Sequence, residues 1–589
     1  MKKMDQDYGE ILRLDYESPY KIPCVDGEAA IFMGGRKTIS LNGMWHFQAD
    51  VFDTFLRKRC FEERTTDAQG RQRPVDFSFD TWEESSVPSN WNTEIESLRY
   101  YEGSGIYVKN FDWESSGKNE RIFLRIGAAN YECRVWLNGE LLGRHEGGFT
   151  PFYVELTGHL QNKNRLILTV NSQRRRESVP SLNFDWLNYG GVYRDVELVP
   201  VPGCFVRDMF AALEPDGTFE TILLRAQISE EREMVPCRFQ IEELGVDVTA
   251  YTDKHGTASV QVHAKPELWS CENPVRYKVK LSTPEDSVED VIGFREIRVQ
   301  GKEILLNGKP IFLKGVCCHE EAVPKGRALT EEDRVKMLRT AKDLGCNIMR
   351  LTHYPHNERM ARLADEMGML LWEEIPVYWA LAFDCPETYE VAASQLKELI
   401  LRDHNRASVV IWSVGNENPD TDARLHFMTR LAELCRQMDP TRPVSAACLV
   451  DVDAMKVHDR LCDVVDIVAF NEYYGWYYRD YEGLSEILDN THQDKPMVIS
   501  ETGAGATPGK FGSDEELFTE EHQEKVYRYQ FQQMDGRVQG VFPWVLFDFC
   551  SPVRMNTLQG QHNRKGLVAE DWNYRKMAFE TVRAYYEKK

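Results

Sequence analysis

The chain has 589 residues and a net charge of −23, from 71 basic and 94 acidic residues. This length exceeds what one hydrophobic core supports, so several domains are expected. The acidic balance argues against nucleic acid or an anionic membrane as the main partner, because both require a positive protein surface.

The first twenty residues contain two lysines but no apolar stretch typical of a signal peptide. No segment approaches the roughly 20 apolar residues of a membrane span. The 14 cysteines are scattered and form no CxxC pair, which argues against a zinc ribbon or a redox pair. Together these features predict a reduced protein in the cytoplasm.

Residues 1–199 are predicted to form a jelly-roll β-sandwich. Short runs of alternating apolar residues lie between turn signals, at Arg121–Ile126, Cys133–Leu137 and Arg165–Val170. Asn138-Gly139 predicts a hairpin turn, because both residues tolerate positive φ. The polar stretch Arg57–Asp76 is expected to be an inserted loop.

Residues 200–299 are predicted to form an immunoglobulin-like β-sandwich, entered through a linker at Pro200–Gly203. From residue 300 to 589, strand-like runs alternate with helical segments, which predicts a (β/α)₈ TIM barrel. The expected strands are Ile311–Val316, Ile348–Leu351, Met369–Trp372, Val409–Trp412, Val444–Ala447, Ile467–Phe470, Met497–Ser500 and Gly540–Trp544. The helices include Glu331–Leu344, Glu358–Glu366 and Ser394–Arg402. The chain is therefore of the multidomain β plus α/β class.

Two glutamates follow apolar strands of this barrel. Glu417 comes after the fourth strand and Glu501 ends the seventh, at the face where barrel enzymes place their active sites. A single glutamate at such a position would fit a structural ion pair or a metal ligand as well as it fits a catalytic role. Two of them fit glycoside hydrolysis, in which one carboxyl protonates the leaving oxygen and the other attacks the sugar or activates water.

Three longer segments resemble glycoside hydrolase family 2 across essentially the whole chain. They are Asn183–Arg194 (NFDWLNYGGVYR), Asn347–Pro355 (NIMRLTHYP) and Asp403–Ser408 (DHNRAS), the last running into Asn416-Glu417. His404 is a mild departure from the family pattern, in which a basic or large residue is common. The resemblance implies that Glu417 is the general acid/base, that Glu501 is the nucleophile of a retaining mechanism, and that Asn416 bonds the sugar 2-hydroxyl.

The segment after the eighth strand, Gln561–Gly566 (QHNRKG), is similar to the Asn-x-Lys motif with which the family's β-glucuronidases contact the substrate carboxylate. Asn563 and Lys565 would occupy the motif positions. An ammonium group and an amide donor form charge-assisted hydrogen bonds to carboxylate oxygens, worth about 1.5–3 kcal/mol each. The resemblance therefore implies release of β-linked glucuronic acid from small-molecule or oligosaccharide conjugates.

Other positions follow from local matches. Asn471–Tyr477 resembles the run after the sixth strand, which places Tyr473 beside the catalytic carboxylates and Tyr477 near the substrate acid. Trp544 is expected to pack on the sugar or to fill the barrel top. His319 and His353 are expected near the sugar hydroxyls, although His353 could instead hold its loop. The resemblance aligns Glu155 with a family aspartate that binds sugar hydroxyls.

The region between Trp372 and Leu396 is short, whereas some gut-bacterial members of the family carry a long loop there that covers small conjugates. A more open site is expected. No HExxH pattern is found, so no metal site is expected, and the mechanism requires no cofactor. Some relatives bind flavin at a surface site, but the chain has no GxGxxG phosphate loop. A homodimer or homotetramer is expected from the family.

Three alternatives remain open at this point. The sugar could be galacturonic acid, whose carboxylate also requires a positively charged side chain to bind it. A β-galactosidase or β-mannosidase of the same family is opposed by Asn563 and Lys565. A carbohydrate-binding protein without catalytic activity is opposed by the retention of both glutamates in their sequence contexts.

Overall fold

The structure is a computed structural model that describes residues 22–58, 60–62, 69, 71, 78–114, 119–478 and 480–589. The chain divides into two compact units. Of the described residues, those within 22–31, 36–174 and 188–205 form the first unit, and those within 32–35, 175–187 and 206–589 form the second. Most of the inserted loop predicted at Arg57–Asp76 lies outside the described residues. Among the helices that are described, none is both long and apolar enough to cross a membrane.

The first unit is the predicted jelly roll, built on two antiparallel sheets. The larger sheet has six strands in the order Glu83–Val87, Gly43–Asp50, Ser104–Asp112, Lys163–Asn171, Glu132–Leu137 and Glu140–Glu146. The smaller has four, in the order Ile39–Ser40, Val196–Pro202, Glu120–Ile126 and Phe152–Glu155. Short pieces complete the unit, namely the paired strands Ala129–Asn130 and Gly191–Val192 and the helices Thr54–Arg57 and Trp91–Glu94. The larger of two apolar clusters in this unit includes Trp45, Trp91 and Tyr107, and the smaller includes Phe55 and Trp136.

Two local predictions in this unit have different outcomes. The Asn138-Gly139 turn is confirmed, since both residues adopt positive φ, 52° and 87°, between paired strands. The predicted linker at Pro200–Gly203 is wrong, because the strand Val196–Pro202 continues through it and pairs with Glu120–Ile126. Ile39–Ser40 pairs only with Glu197 and Leu198. The rest of the strand is therefore an edge, where prolines are tolerated.

The second unit begins with the immunoglobulin-like sandwich. One of its sheets contains Val206–Leu213, Thr221–Ile228 and Thr257–His263. The other contains Val246–Tyr251, Pro236–Ile241, Tyr277–Ser282 and Ser287–Ile292. A small antiparallel sheet of Ile297–Gln300, Glu303–Leu306 and Lys309–Pro310 leads into the barrel.

The barrel sheet is parallel and closed through its first strand. That strand is split into Leu313–Lys314, which pairs with strand eight, and Cys317–Cys318, which pairs with strand two. Strands two to eight are Ile348–Leu351, Leu370–Glu374, Val409–Asn416, Val444–Cys448, Ile467–Asn471, Met497–Thr502 and Gly540–Pro543. Strand four is buried along its entire length, as expected for a parallel strand covered on both sides.

Within the described part of the barrel region, seven α-helices surround these strands. They are Glu331–Asp343, Glu358–Met367, Pro386–Asp403, Asp422–Met438, Gly483–Asn490, Glu520–Met534 and Met577–Tyr586. A 3₁₀ turn, Arg460–Asp463, lies where a helix would follow strand five. Local sequence sets the ends of several helices. Thr330 and Asp333 form a capping box at the first, and Pro386 starts the third, where its missing N–H costs nothing.

A buried ion-pair cluster joins the sandwich to the barrel within the second unit. Arg406 pairs with Asp290 of the sandwich and, at 3.2 Å, with Asp365 of the helix Glu358–Met367. All three side chains are at most 5% exposed. Removing the cation would therefore leave two buried carboxylates short of a counter-charge.

We expect Arg406→Ala to destabilise the protein by about 3–5 kcal/mol, the usual cost of breaking a buried ion pair from one side. Thermal unfolding monitored by circular dichroism would measure the change in midpoint. Arg238→Ala is the matched control, because the Arg238–Asp247 pair is about half exposed on each side (52% and 51%) and its loss should hardly move the midpoint. Equal shifts for both variants would contradict a structural role for the buried cluster.

Candidate active site

Glu417 and Glu501 lie at the carboxyl ends of barrel strands four and seven, as predicted. Glu501 is 4% exposed and Glu417 is partly buried. Glu417 adopts a positive φ of 51°, which is unusual for a residue other than glycine and is typical of strained functional positions. Its N–H donates to the Ala447 carbonyl at 2.8 Å, which holds the residue against the end of strand five.

Arg350, from strand two, connects the polar groups at the base of the site. Its guanidinium donates to Glu501 Oε1 at 2.9 Å and to Asn416 Oδ1 at 2.7 Å. Two further hydrogen bonds reach the oxygens of Glu374, at 3.0 and 3.1 Å. The arginine side chain is fully buried, so its charge is compensated by these carboxylates rather than by solvent.

These contacts also orient Asn416. Its Oδ1 accepts from Arg350 and from Asn471 Nδ2, the latter at 3.2 Å. Its amide nitrogen therefore faces the other way, 3.5 Å from Glu417 Oε2. One chain of contacts thus joins Glu501, Arg350, Asn416 and Glu417. The arrangement leaves an amide donor beside the acid, where a sugar hydroxyl can accept from it.

The surroundings of Glu501 act on its charge in opposite directions. Together these surroundings raise the pKa of Glu501 to about 8: burial raises it most, the charge of Arg350 lowers it, and the charge of Glu417 raises it. Tyr473 OH, which donates to Glu501 Oε2 at 2.6 Å, favours the carboxylate form. Ionisation of Glu501 therefore depends on the donors of Arg350 and Tyr473.

The two predicted histidines lie in the same site and are held neutral. His353 contacts Glu374 Oε1 through Nδ1 at 2.7 Å, and its Nε2 is 3.8 Å from Glu501 Oε1. His319 contacts Tyr354 OH at 3.1 Å, and its Nε2 has no hydrogen-bond partner among the described residues. Burial lowers the pKa of both histidines. A neutral His319 ring therefore presents one free nitrogen to a ligand.

Aromatic rings form the walls around these groups. Trp544 stacks on His353 with centroids 4.8 Å apart and lies edge-on to His319 at 5.4 Å. Trp186, from the segment 175–187, meets Tyr378 edge-on at 5.0 Å. Flat hydrophobic walls with a few converging polar groups are typical of sugar and small-molecule sites.

A cationic region lies next to the carboxylates. Lys565 is 3% exposed, its Nζ donates to Tyr477 OH at 2.8 Å, and it faces the rings of Tyr477 and Tyr473 at 4.8 and 5.2 Å. No carboxylate pairs with this ammonium group among the described residues. Tyr473 contacts Lys565 with its ring and Glu501 with its hydroxyl, so it connects the cationic region to the predicted nucleophile.

Asn563 is fully buried on a short hairpin formed by Phe549–Cys550 and His562–Asn563. Its Nδ2 donates to Asp185 Oδ2 at 3.1 Å. Arg554 from the same loop donates to Asp185 Oδ1 at 3.0 Å and reaches Tyr477 OH at 3.5 Å. Burial raises the pKa of Tyr477, but the charges of Lys565 and Arg554 outweigh it, so the net shift is downward.

Glu155 is the predicted site residue that belongs to the first unit. It ends the strand Phe152–Glu155 and makes a bidentate ion pair with Arg121, at 2.8 and 2.7 Å. In the second unit, Asp185 is the acidic residue that accepts a hydrogen bond from Asn563. Asp185 and Trp186 are within the segment that carried the family resemblance, so the segment was recognised but these two residues were not assigned to the site.

Sequence reasoning also missed Arg350, Glu374, Trp379 and Arg554. Arg350 had a signal, since a charged residue inside an apolar parallel strand requires a buried partner. Trp379 and Arg554 are on loops whose paths no sequence pattern indicated. Trp379 Nε1 donates to Glu417 Oε2 at 2.8 Å, so the short segment between Trp372 and Leu396 reaches the predicted acid/base.

Sequence comparison identifies the family to which these features belong. Three models of glycosyl hydrolases family 2 match in order: the sugar binding domain at residues 38–202, a middle region at 204–295, and the TIM barrel domain at 297–588. The chain belongs to glycoside hydrolase family 2. It is thus a glycoside hydrolase, with the jelly roll, immunoglobulin-like sandwich and TIM barrel expected from its sequence.

Individual relatives are similar along their full lengths. A beta-glucuronidase from Streptococcus agalactiae is 27% identical, covering 94% of this chain and 98% of the relative. The structure of an uncultured Clostridium beta-glucuronidase has a TM-score of 0.82 and 26% identity, covering 96% and 100% of the two chains. A GH2 beta-galacturonidase from Eisenbergiella tayi bound to galacturonate has a TM-score of 0.80 and 25% identity, covering 95% and 99%.

We expect Arg350→Met to shift the acid limb of the pH–kcat/KM profile on an aryl β-glycoside to higher pH. Removing the cation takes away an influence that lowers the Glu501 pKa, so the carboxylate forms only at higher pH. The loss of a preorganised donor should also lower kcat/KM by about a hundredfold. Arg350→Lys keeps the charge and should show the smaller shift. An unchanged acid limb in Arg350→Met would contradict the coupling between Arg350 and Glu501.

Proposed function

We propose that this glycoside hydrolase is a retaining β-glucuronidase that releases β-D-glucuronic acid from the non-reducing end of glucuronide conjugates. Lys565 carries the proposal. It is a nearly buried ammonium group whose hydrogen bond goes to a neutral tyrosine, with no carboxylate partner among the described residues. Such a cation is costly unless a ligand brings negative charge to it. The carboxylate of a uronic acid would do so.

The proposed reaction uses two displacements. Glu501 attacks the anomeric carbon and forms a glycosyl ester while Glu417 gives its proton to the departing oxygen. Glu417 then takes a proton from water, and the resulting hydroxide displaces Glu501 from the anomeric carbon. Two inversions give retention. The contacts from Glu501 through Arg350 and Asn416 to Glu417, and the effect of the Glu417 charge on the Glu501 pKa, support two carboxyls that face one site. Retention requires a separation of about 5 Å between them.

The remaining residues are proposed to bind the sugar. Asn563 and Lys565 hold the C6 carboxylate beside Tyr477, and Asn416 donates to the 2-hydroxyl. His319 offers its free Nε2 to a hydroxyl, while Trp544 forms a wall on His353. Glu155 remains a predicted hydroxyl ligand from the family alignment. The chemistry is complete with these side chains, so we propose that no cofactor is required; cytoplasmic location and a homo-oligomer remain predictions.

A β-galacturonidase is the second candidate. The Eisenbergiella relative is a beta-galacturonidase bound to galacturonate. Galacturonic acid differs from glucuronic acid at C4 and carries the same C6 carboxylate, so Lys565 would fit either sugar. Rates on nitrophenyl β-glucuronide, β-galacturonide and β-galactoside would rank the three activities. We expect the glucuronide to be cleaved fastest and the neutral galactoside to be cleaved slowest. A faster galacturonide rate would replace the first candidate by the second.

Azide tests the two glutamate roles separately. We expect Glu501→Gly and Glu417→Gly each to lose about a thousandfold or more in kcat on nitrophenyl glucuronide. With azide, Glu501→Gly should form the α-glycosyl azide, because azide replaces the nucleophile. Glu417→Gly should form the β-azide, because azide attacks the enzyme ester. NMR of the product gives the configuration, and the same anomer from both variants would contradict the assignment.

Lys565→Ala should lower kcat/KM on glucuronides by about ten- to hundredfold, since the carboxylate loses a charge-assisted hydrogen bond. Any trace activity on the matching glucoside should stay largely intact, because that sugar has no carboxylate. Parallel kinetics on the two nitrophenyl sugars measure this difference. Equal losses on both substrates would count against recognition of the carboxylate by Lys565.

A further inference from the structure

Trp379 occupies an unusual position on the loop between barrel strand three and the helix Pro386–Asp403. Its φ is +54°, in the left-handed region that non-glycine residues rarely adopt. Two hydrogen bonds hold this conformation: its N–H donates to the Asn416 carbonyl at 2.9 Å, and its carbonyl accepts from Asn418 Nδ2 at 2.6 Å. The loop is thereby fixed to the segment that carries Glu417.

This backbone conformation places the indole ring beside the predicted acid/base. The indole N–H donates to Glu417 Oε2 at 2.8 Å. Tyr378 stacks against the indole with centroids 4.5 Å apart and an interplanar angle of 29°. Trp379 nevertheless remains 36% exposed. A large aromatic surface is therefore held open to a ligand next to the carboxyl that protonates the leaving oxygen.

Exposed apolar residues also lie on the other side of Glu417. Strand four lies between strands three and five in the sheet, and Glu417 N–H donates to Ala447 of strand five. Leu449 and Val452, on the loop that follows strand five, are 41% and 42% exposed. The loops on both sides of the acid/base thus carry exposed apolar side chains.

We propose that Trp379, Leu449 and Val452 form a leaving-group subsite that selects flat, apolar alcohols such as phenols and fused-ring phenols. The inference rests on the proposed function, because the acid/base must touch the glycosidic oxygen and the leaving group must extend from there. The charge of these loops supports this choice of ligand. Residues 375–385 and 449–456 contain Asp384, Asp451 and Asp453 but a single cation, Lys456, so an anionic sugar chain would be less well accommodated.

Phenyl and 2-naphthyl β-glucuronides test the subsite, since their leaving groups are similar in acidity and differ by one apolar ring. We expect wild-type kcat/KM to favour the naphthyl compound by about five- to tenfold through the additional apolar area that is buried. Trp379→Ala should bring this ratio close to one. Trp379→Phe should keep most of the preference but lower kcat on both substrates, because the ring remains and the hydrogen bond to Glu417 is lost.

Two further variants make the test specific. Leu449→Ser, at an exposed position on the opposite loop, should also reduce the naphthyl preference even if Trp379→Ala folds poorly. Tyr251→Ala is the matched control, because Tyr251 is 56% exposed on the sandwich strand Val246–Tyr251, and it should leave the ratio unchanged.

The outcomes separate this inference from the proposed function. Cleavage of both glucuronides with a ratio that neither Trp379→Ala nor Leu449→Ser changes would overturn the subsite and leave the glucuronidase proposal standing. If only the corresponding galacturonides are cleaved, the ratio measured on that pair decides the subsite independently of the sugar. If the wild-type enzyme hydrolyses neither the two glucuronides nor the two galacturonides, both the subsite and the proposed function are overturned.

Discussion

A single buried arginine determines how the polar groups of the candidate active site are arranged. Arg350 is surrounded by Glu374, Glu501 and Asn416, and its charge has no access to solvent. A cation of this kind is stable only if its acceptors stay in place, so Arg350 fixes the positions of its neighbours as strongly as they fix its own. It also opposes the effect of burial on Glu501. The charge of Arg350 therefore favours the ionised form of Glu501 although that side chain is buried.

Aromatic residues connect this centre to the cationic region around Lys565. Tyr473 contacts Glu501 with its hydroxyl and Lys565 with its ring. Tyr477 accepts from Lys565, and Arg554 approaches the same hydroxyl. A negative group bound at Lys565 would therefore be connected to Glu501 through the ring and the hydroxyl of Tyr473.

Much of this architecture could be predicted from the sequence because barrel strands are marked by apolar runs. Each of the eight predicted barrel strands overlaps an observed one, and Glu417 and Glu501 follow directly from that periodicity. The failures have physical reasons. The strand Val196–Pro202 was mistaken for a linker because proline, which is excluded from central strands, is allowed at an edge. The positions of Trp379 and Arg554 depend on loop conformations, which arise from tertiary contacts that no local pattern encodes.

The segment 175–187 has a consequence for how the protein can be divided. It precedes the barrel by more than a hundred residues, yet it belongs to the same compact unit and supplies Asp185 and Trp186. A barrel produced from residue 300 onward would lack the carboxylate that accepts from Asn563 and Arg554. The candidate active site is thus discontinuous in sequence. Domain exchange between relatives would have to transfer this short segment together with the barrel, even though it lies within the stretch matched by the sugar binding domain.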